Sequence, residues 1–88
     1  MSKILRYDAK RDANEPEIVE ALEAVGASVL RVDDVDLIVG YRNTNYLMEV
    51  KTTDGRLNKK QAKFFRSWRG QVNIVRSRMD ALKLIGAI

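Results

Sequence analysis

Asp36-Leu37-Ile38-Val39-Gly40-Tyr41 and Tyr46-Leu47-Met48-Glu49-Val50-Lys51, separated by Arg42-Asn43-Thr44-Asn45, form the stretch on which the fold turns. Both runs are rich in aliphatic and aromatic residues, and the four residues between them are turn-prone, so the segment reads as a β-hairpin. With the turn centred on Asn43-Thr44, Asp36 faces Lys51 and Ile38 faces Glu49. Directly opposed residues share a face, as do residues i and i+2 of one strand. Asp36, Glu49 and Lys51 then converge on one side of the sheet at its end. A register slip of one residue would undo this convergence.

Three charged groups together on a strand flanked by apolar Met48 and Val50 are costly unless they bind something. The simpler alternative is a cross-strand Asp36–Lys51 pair with Glu49 exposed at an edge. Two carboxylates beside a lysine are also what metal-assisted phosphodiester hydrolysis requires. The carboxylates hold a divalent cation that polarises the phosphate and acidifies a bound water. The lysine orients or deprotonates that water, or offsets charge developing on the phosphorus centre.

Outward from the hairpin, Asn14-Glu15-Pro16-Glu17 reads as a helix start, with Asn14 as N-cap and Glu17 at capping-box spacing. Ile18, Val19, Leu22 and Val25 follow at helical spacing, and Gly26 stops the helix. Ala27 to Val32 is a first strand. Beyond the hairpin, Asp54-Gly55 breaks the chain and Asn58 can cap a second helix. Leu57, Gln61, Phe64, Phe65 and Trp68 share one face of that helix, and Gly70 ends it. Gln71 to Val75 is a short strand, and Ser77-Arg78-Met79-Asp80 caps a last helix. The expected order is α-β-β-β-α-β-α: a single α/β domain with a mixed sheet flanked by helices, and residues 1–12 as a flexible arm.

The 88 residues fit one small core. The chain has no cysteine and no histidine, which excludes disulfides, thiolate zinc sites, thiol nucleophiles and histidine-based triads. Any metal must be held by oxygen, which points to Mg²⁺ or Mn²⁺. No apolar run reaches membrane-span length and no signal-peptide core is present, so a cytoplasmic location without membrane is expected. The net charge of +4 is unevenly spread. Residues 1–50 carry a net −4, whereas residues 51–78 carry a net +8 with Asp54 as the sole acid. A carboxylate cluster beside a polyanion-binding face is the implication. Arg56, Lys59, Lys60, Lys63 and Arg66 lie around the second helix and are read as phosphate contacts, indifferent to base sequence.

At these residues the sequence resembles the PD-(D/E)xK nuclease superfamily: Val35-Asp36-Leu37-Ile38-Val39-Gly40, then Glu49-Val50-Lys51 after a hairpin, then a helix bearing an inward glutamine. Val35 stands where a proline is usual. Within that superfamily the chain looks most like the minimal Holliday-junction-resolvase-like nucleases, including small phage-type VRR-nuclease domains. Glu15 to Gly26, Leu57 to Gln61 and Trp68 to Ser77 carry the likeness, which spans residues 12–80. The resemblance implies a restriction-endonuclease-like core and a Mg²⁺- or Mn²⁺-dependent endonuclease in the cytoplasm of a bacterial or phage-infected cell. Its substrate would be branched DNA, attacked by a homodimer because a four-way junction presents two equivalent strands.

Carried over residue by residue, Asp36 and Glu49 become metal ligands, with the Val50 carbonyl as a third. Lys51 becomes the catalytic lysine and Gln61 its accessory glutamine, which local spacing equally reads as a capping partner of Asn58. Glu15 and Glu17 compete for the first-helix acid. Glu15 shares the face of Ile18, Val19 and Leu22 and is preferred as catalytic and metal-binding; Glu17 points outward. Trp68 is read as core rather than as a base-stacking platform. Asp33 and Asp34 are read as solvated turn residues. The alternatives are a non-catalytic DNA-binding module of the same fold and, more remotely, a small basic RNA-associated protein.

Overall fold

In the computed structural model of the protein, residues 12–88 are described; the arm read from the first residues lies, except for Asp12, outside them. The elements run α1 (Glu15–Ala24), β1 (Ser28–Arg31), β2 (Leu37–Tyr41), β3 (Thr44–Val50), α2 (Lys59–Ser67), β4 (Asn73–Val75) and α3 (Arg78–Leu84), the order expected from the sequence. The strands form one mixed sheet in the order β1-β2-β3-β4. The first three are antiparallel, and β4 joins β3 in parallel after the α2 crossover, as parallel neighbours require.

The hairpin forms as read, but with a different turn. Arg42 and Asn43, not Asn43 and Thr44, are its two central residues, at φ 51° and 65°. Positive φ at both positions marks a type I′ turn, whose twist matches that of the flanking strands. The Arg42 guanidinium lies 5.0 Å from the centre of the Tyr41 ring. Leu37 therefore pairs with Met48 and Tyr41 with Thr44. Continued by one residue, this register sets Asp36 opposite Glu49 rather than opposite Lys51. Because the slip moves each partner by two residues, every side chain keeps its face. What changes is that the two carboxylates meet.

Leu37, Val39, Met48, Val50 and Val75 point to one face and form the core with Ile18, Val19 and Leu22 of α1 and with Ala81 and Ile85 at α3. The Gly26 backbone, at φ 92°, turns the chain from α1 into β1. Asn14 does not cap α1: its own backbone is helical and its side chain makes no capping bond. Its Nδ2 instead donates to the carbonyls of Lys51 and Arg76, both at 3.1 Å. These carbonyls end β3 and β4, where the ladder no longer supplies donors.

The other face carries Leu30, Ile38 and Leu47, which the strand pairing sets side by side, and Glu49. Helix α2 lies over this face but covers it only in part. None of its residues is buried, and Trp68, expected in the core, is 45% exposed. Trp68 stacks on Phe64 instead, with ring centres 5.2 Å apart and planes 21° off parallel. The last strand is shorter than expected because Gln71 replaces backbone with side chain. Its Oε1 accepts from the Leu47 amide and its Nε2 donates to the Leu47 carbonyl, each at 2.8 Å. Among the described residues no helix is long and apolar enough to cross a membrane.

Candidate active site

Glu49 stands on β3, with buried Met48 and Val50 on either side pointing into the core. Alternation sends its side chain to the opposite face, where it is 2% exposed. An exposed edge position for Glu49 is therefore ruled out. Asp36, at the entrance to β2, accepts a hydrogen bond from the Val50 amide at 2.7 Å and shares a side-chain hydrogen bond with Glu49. In an extended strand the N–H and C=O of one residue leave the same edge, so the Val50 carbonyl also lies on the Asp36 side. Lys51 Nζ is 4.0 Å from Glu49 Oε2.

Gln61 completes the group and plays both parts read from the sequence. Its Nε2 donates to Glu49 Oε2 at 2.9 Å. Its Oε1 accepts from the Asn58 amide while Asn58 Oδ1 accepts from the Gln61 amide, a full capping box. The cap thus fixes the glutamine that touches the acid.

The electrostatics of the pair follow from this packing. Burial, then the Asp36 charge and hydrogen bond, push the Glu49 carboxyl from 4.5 up to about 8. The Lys51 ammonium pulls it down, and the Asp12 charge pushes it further up. Without a cation Glu49 therefore keeps its proton at neutral pH, hydrogen-bonded to its neighbour.

Asp12 is the acid that sequence reasoning missed. It precedes α1 in a polar stretch with no periodicity to mark it, yet its charge reaches Glu49. Its Oδ2 is buried and accepts no hydrogen bond, and neither does Asn14 Oδ1. Glu15 is buried as expected, and its Oε2 accepts from Arg31 Nε of β1 at 3.1 Å. Arg31 is paired with Leu37, so this ion pair starts from the core side of the sheet. Glu17 is exposed.

Among the described residues, no three acidic groups stand close enough together to hold a metal ion by themselves. The donors present nonetheless suit Mg²⁺ or Mn²⁺, which take one or two carboxylates and leave the remaining positions to water and substrate phosphate. Asp36, Glu49 and the Val50 carbonyl are such donors. A buried carboxyl that holds its proton, and a buried Asp12 oxygen with no donor, are both acceptors lacking positive charge.

The connection from β3 to α2 is clamped from β4. Arg76 donates to the carbonyls of Thr52, Thr53 and Gly55 at 2.7, 3.2 and 2.8 Å. Arg56, Lys59, Lys60, Lys63 and Arg66 are all exposed, and among the described residues none of them joins an ion pair. They form an unneutralised basic surface on the helix that delivers Gln61 to Glu49 and, at Arg56, on the connection leading into it. Compared with models of protein families, with curated proteins and with solved structures, the chain matches none.

Proposed function

We propose that the chain is a metal-dependent endonuclease of the PD-(D/E)xK type, hydrolysing DNA phosphodiester bonds in branched or structured DNA. The observation that carries this reading is the carboxyl pair of half-buried Asp36 and buried Glu49, with Lys51 and Gln61 against Glu49 and a basic helix alongside. Asp36, Glu49 and the Val50 carbonyl would hold Mg²⁺ or Mn²⁺, which supplies Lewis acidity to the phosphate and lowers the pKa of bound water. Asp12, whose charge reaches Glu49, stands beside Glu15 as a second candidate for the accessory acid. Lys51, within reach of the Glu49 carboxylate, positions the attacking water or meets the charge growing on the phosphate oxygens. Gln61 holds the Glu49 carboxylate in one rotamer, and Arg56, Lys59, Lys60, Lys63 and Arg66 bind the backbone on either side of the cut. Two equivalent strands at a junction call for two such sites, hence a homodimer.

A non-catalytic DNA-binding module is the second reading. It is favoured by one observation: Glu49, hydrogen-bonded to Asp36 and Gln61, has its polar partners without a cation. Labelled four-way junction, flap, single-stranded and linear duplex DNA, incubated with Mg²⁺, Mn²⁺ or EDTA, separates the two. A nuclease cuts at least one substrate with metal only, Asp36→Ala abolishes the cutting and Lys51→Ala lowers it by orders of magnitude. A binding module cuts none, while both variants retain salt-sensitive binding.

A further inference from the structure

An apolar groove of about 480 Å³ runs beside the carboxyl pair. Its floor is Ile38 and Leu47, which face each other across β2 and β3. Each lies two residues from an acid on the same sheet face, Ile38 from Asp36 and Leu47 from Glu49, a step of about 7 Å along a strand. One wall is Val32 and Val35 in the loop that leads into Asp36; the other is Phe64 and Trp68 from α2. The groove therefore opens next to the place where a phosphate would be cut.

Trp68 is held for contact rather than buried. Phe64 stacks on its indole, yet the residue stays 45% exposed. Gly70 passes so close that a Cβ there would stand 3.0 Å from Trp68 Nε1, so any side chain at this position would press the indole a few tenths of an ångström out of place.

Charge indicates what the groove receives. Lys60, Phe64 and Trp68 are spaced i, i+4, i+8 and lie on one stripe of the helix, cation first and rings after. Lys59, Lys60, Lys63, Arg66 and Arg69 are exposed and carry no acid among them. The opposite rim bears Asp33 and Asp34. A ligand with an anionic backbone on the helix side and a flat ring bearing N–H donors inside meets both rims. A second copy of the chain would bring its own five cations against these.

We propose that this groove takes an unpaired nucleobase adjoining the cleaved phosphate, stacked on Trp68. The proposal rests on the nuclease reading and narrows its substrate: strands with an unstacked base beside the cut, as at a flap or junction. A base in an intact duplex must first be unstacked and unpaired, at a cost of a few kcal/mol.

Trp68 is the sole tryptophan of the chain, so its fluorescence reports on the groove without cleavage. The protein is titrated in EDTA with short oligothymidylate, with an abasic oligomer of equal length, and with duplex, binding being followed in parallel by anisotropy of labelled DNA. The expected result is a change of Trp68 emission with oligothymidylate and little with the abasic strand. Trp68→Ala should weaken single-strand binding about tenfold, in line with the removal of one stacked base, and leave duplex binding unchanged. Trp68→Phe should restore most of the affinity, and circular dichroism should show both variants folded. The proposal is overturned if the oligomer binds while Trp68 emission stays silent, or if the abasic strand changes it equally. It is also overturned if emission depends on protein concentration without DNA, which would mark a second copy in the groove. Failure of any DNA to bind would remove the nuclease reading as well. A responsive Trp68 with no metal-dependent cutting would remove the nuclease reading alone.

Discussion

Glu49→Gln should stabilise the metal-free protein while abolishing its proposed activity. At neutral pH Glu49 is a protonated acid lodged against Asp36 and Gln61. A glutamine can reproduce that state, its carbonyl accepting from Gln61 Nε2 and its amide donating to Asp36. The sign follows from a folded-state value of about 8 against 4.5 for the unfolded chain. Below 4.5 both states carry the proton. Between 4.5 and 8 only the folded state does, so raising the pH costs about 1.4 kcal/mol of stability per pH unit, levelling off above 8. From pH 6 to pH 9 the wild type should thus lose on the order of 3 kcal/mol that Glu49→Gln retains. For a domain of this size that is upward of about 10 °C in Tm. Thermal denaturation in EDTA, followed by circular dichroism at pH 6, 7, 8 and 9, measures the difference. Mg²⁺ at pH 8 to 9 should restore the wild type and leave the variant unmoved. Parallel pH curves for the two proteins would mean that Glu49 ionises without penalty and that its packing does not hold the proton.

The clamp on the β3–α2 connection predicts that Arg76→Met costs about 1–3 kcal/mol, because three backbone carbonyls lose their donor. Hydrogen exchange should show the Gly55 amide, bonded to Thr52, losing protection before the core strands do. Asn43→Gly should raise stability by roughly 0.5 kcal/mol in urea unfolding, since Asn43 sits at φ 65° in a turn that favours glycine there. Lys63→Ala and Arg66→Ala should each weaken DNA binding independently of sequence. Each should also lower the slope of log affinity against log salt by about 0.7–0.9, the increment expected when one phosphate is no longer neutralised.

Much of this arrangement was legible in the alternation of the hairpin, because alternation fixes which face a residue takes. It does not fix which residue stands opposite. The turn sits one residue earlier than the Asn43-Thr44 reading, and the partner of Asp36 shifts from Lys51 to Glu49 while all three keep their face. Helical spacing likewise grouped Gln61, Phe64 and Trp68, but it is silent on how much sheet lies beneath. Here the sheet face is partly occupied by the acids, and Trp68 at the end of α2 reaches past its cover. Asn14 illustrates a third limit: its cap-like neighbourhood obeys local rules, yet two carbonyls from β3 and β4 claim its side chain. Asp12 lies in a segment without pattern, so only the fold brings its charge to Glu49.

Single-turnover cleavage of the best-cut branched substrate by wild type and Lys51→Ala, with DNA affinity measured alongside in EDTA, shows whether the carboxyl pair and Lys51 hydrolyse DNA. The expected result is Mg²⁺- or Mn²⁺-dependent cutting by the wild type, reduced about 10²–10⁴-fold in Lys51→Ala at near-unchanged affinity. Cutting by Lys51→Ala at the wild-type rate would place the chemistry elsewhere, and a wild type that binds every substrate but cuts none with either metal would contradict the nuclease reading itself.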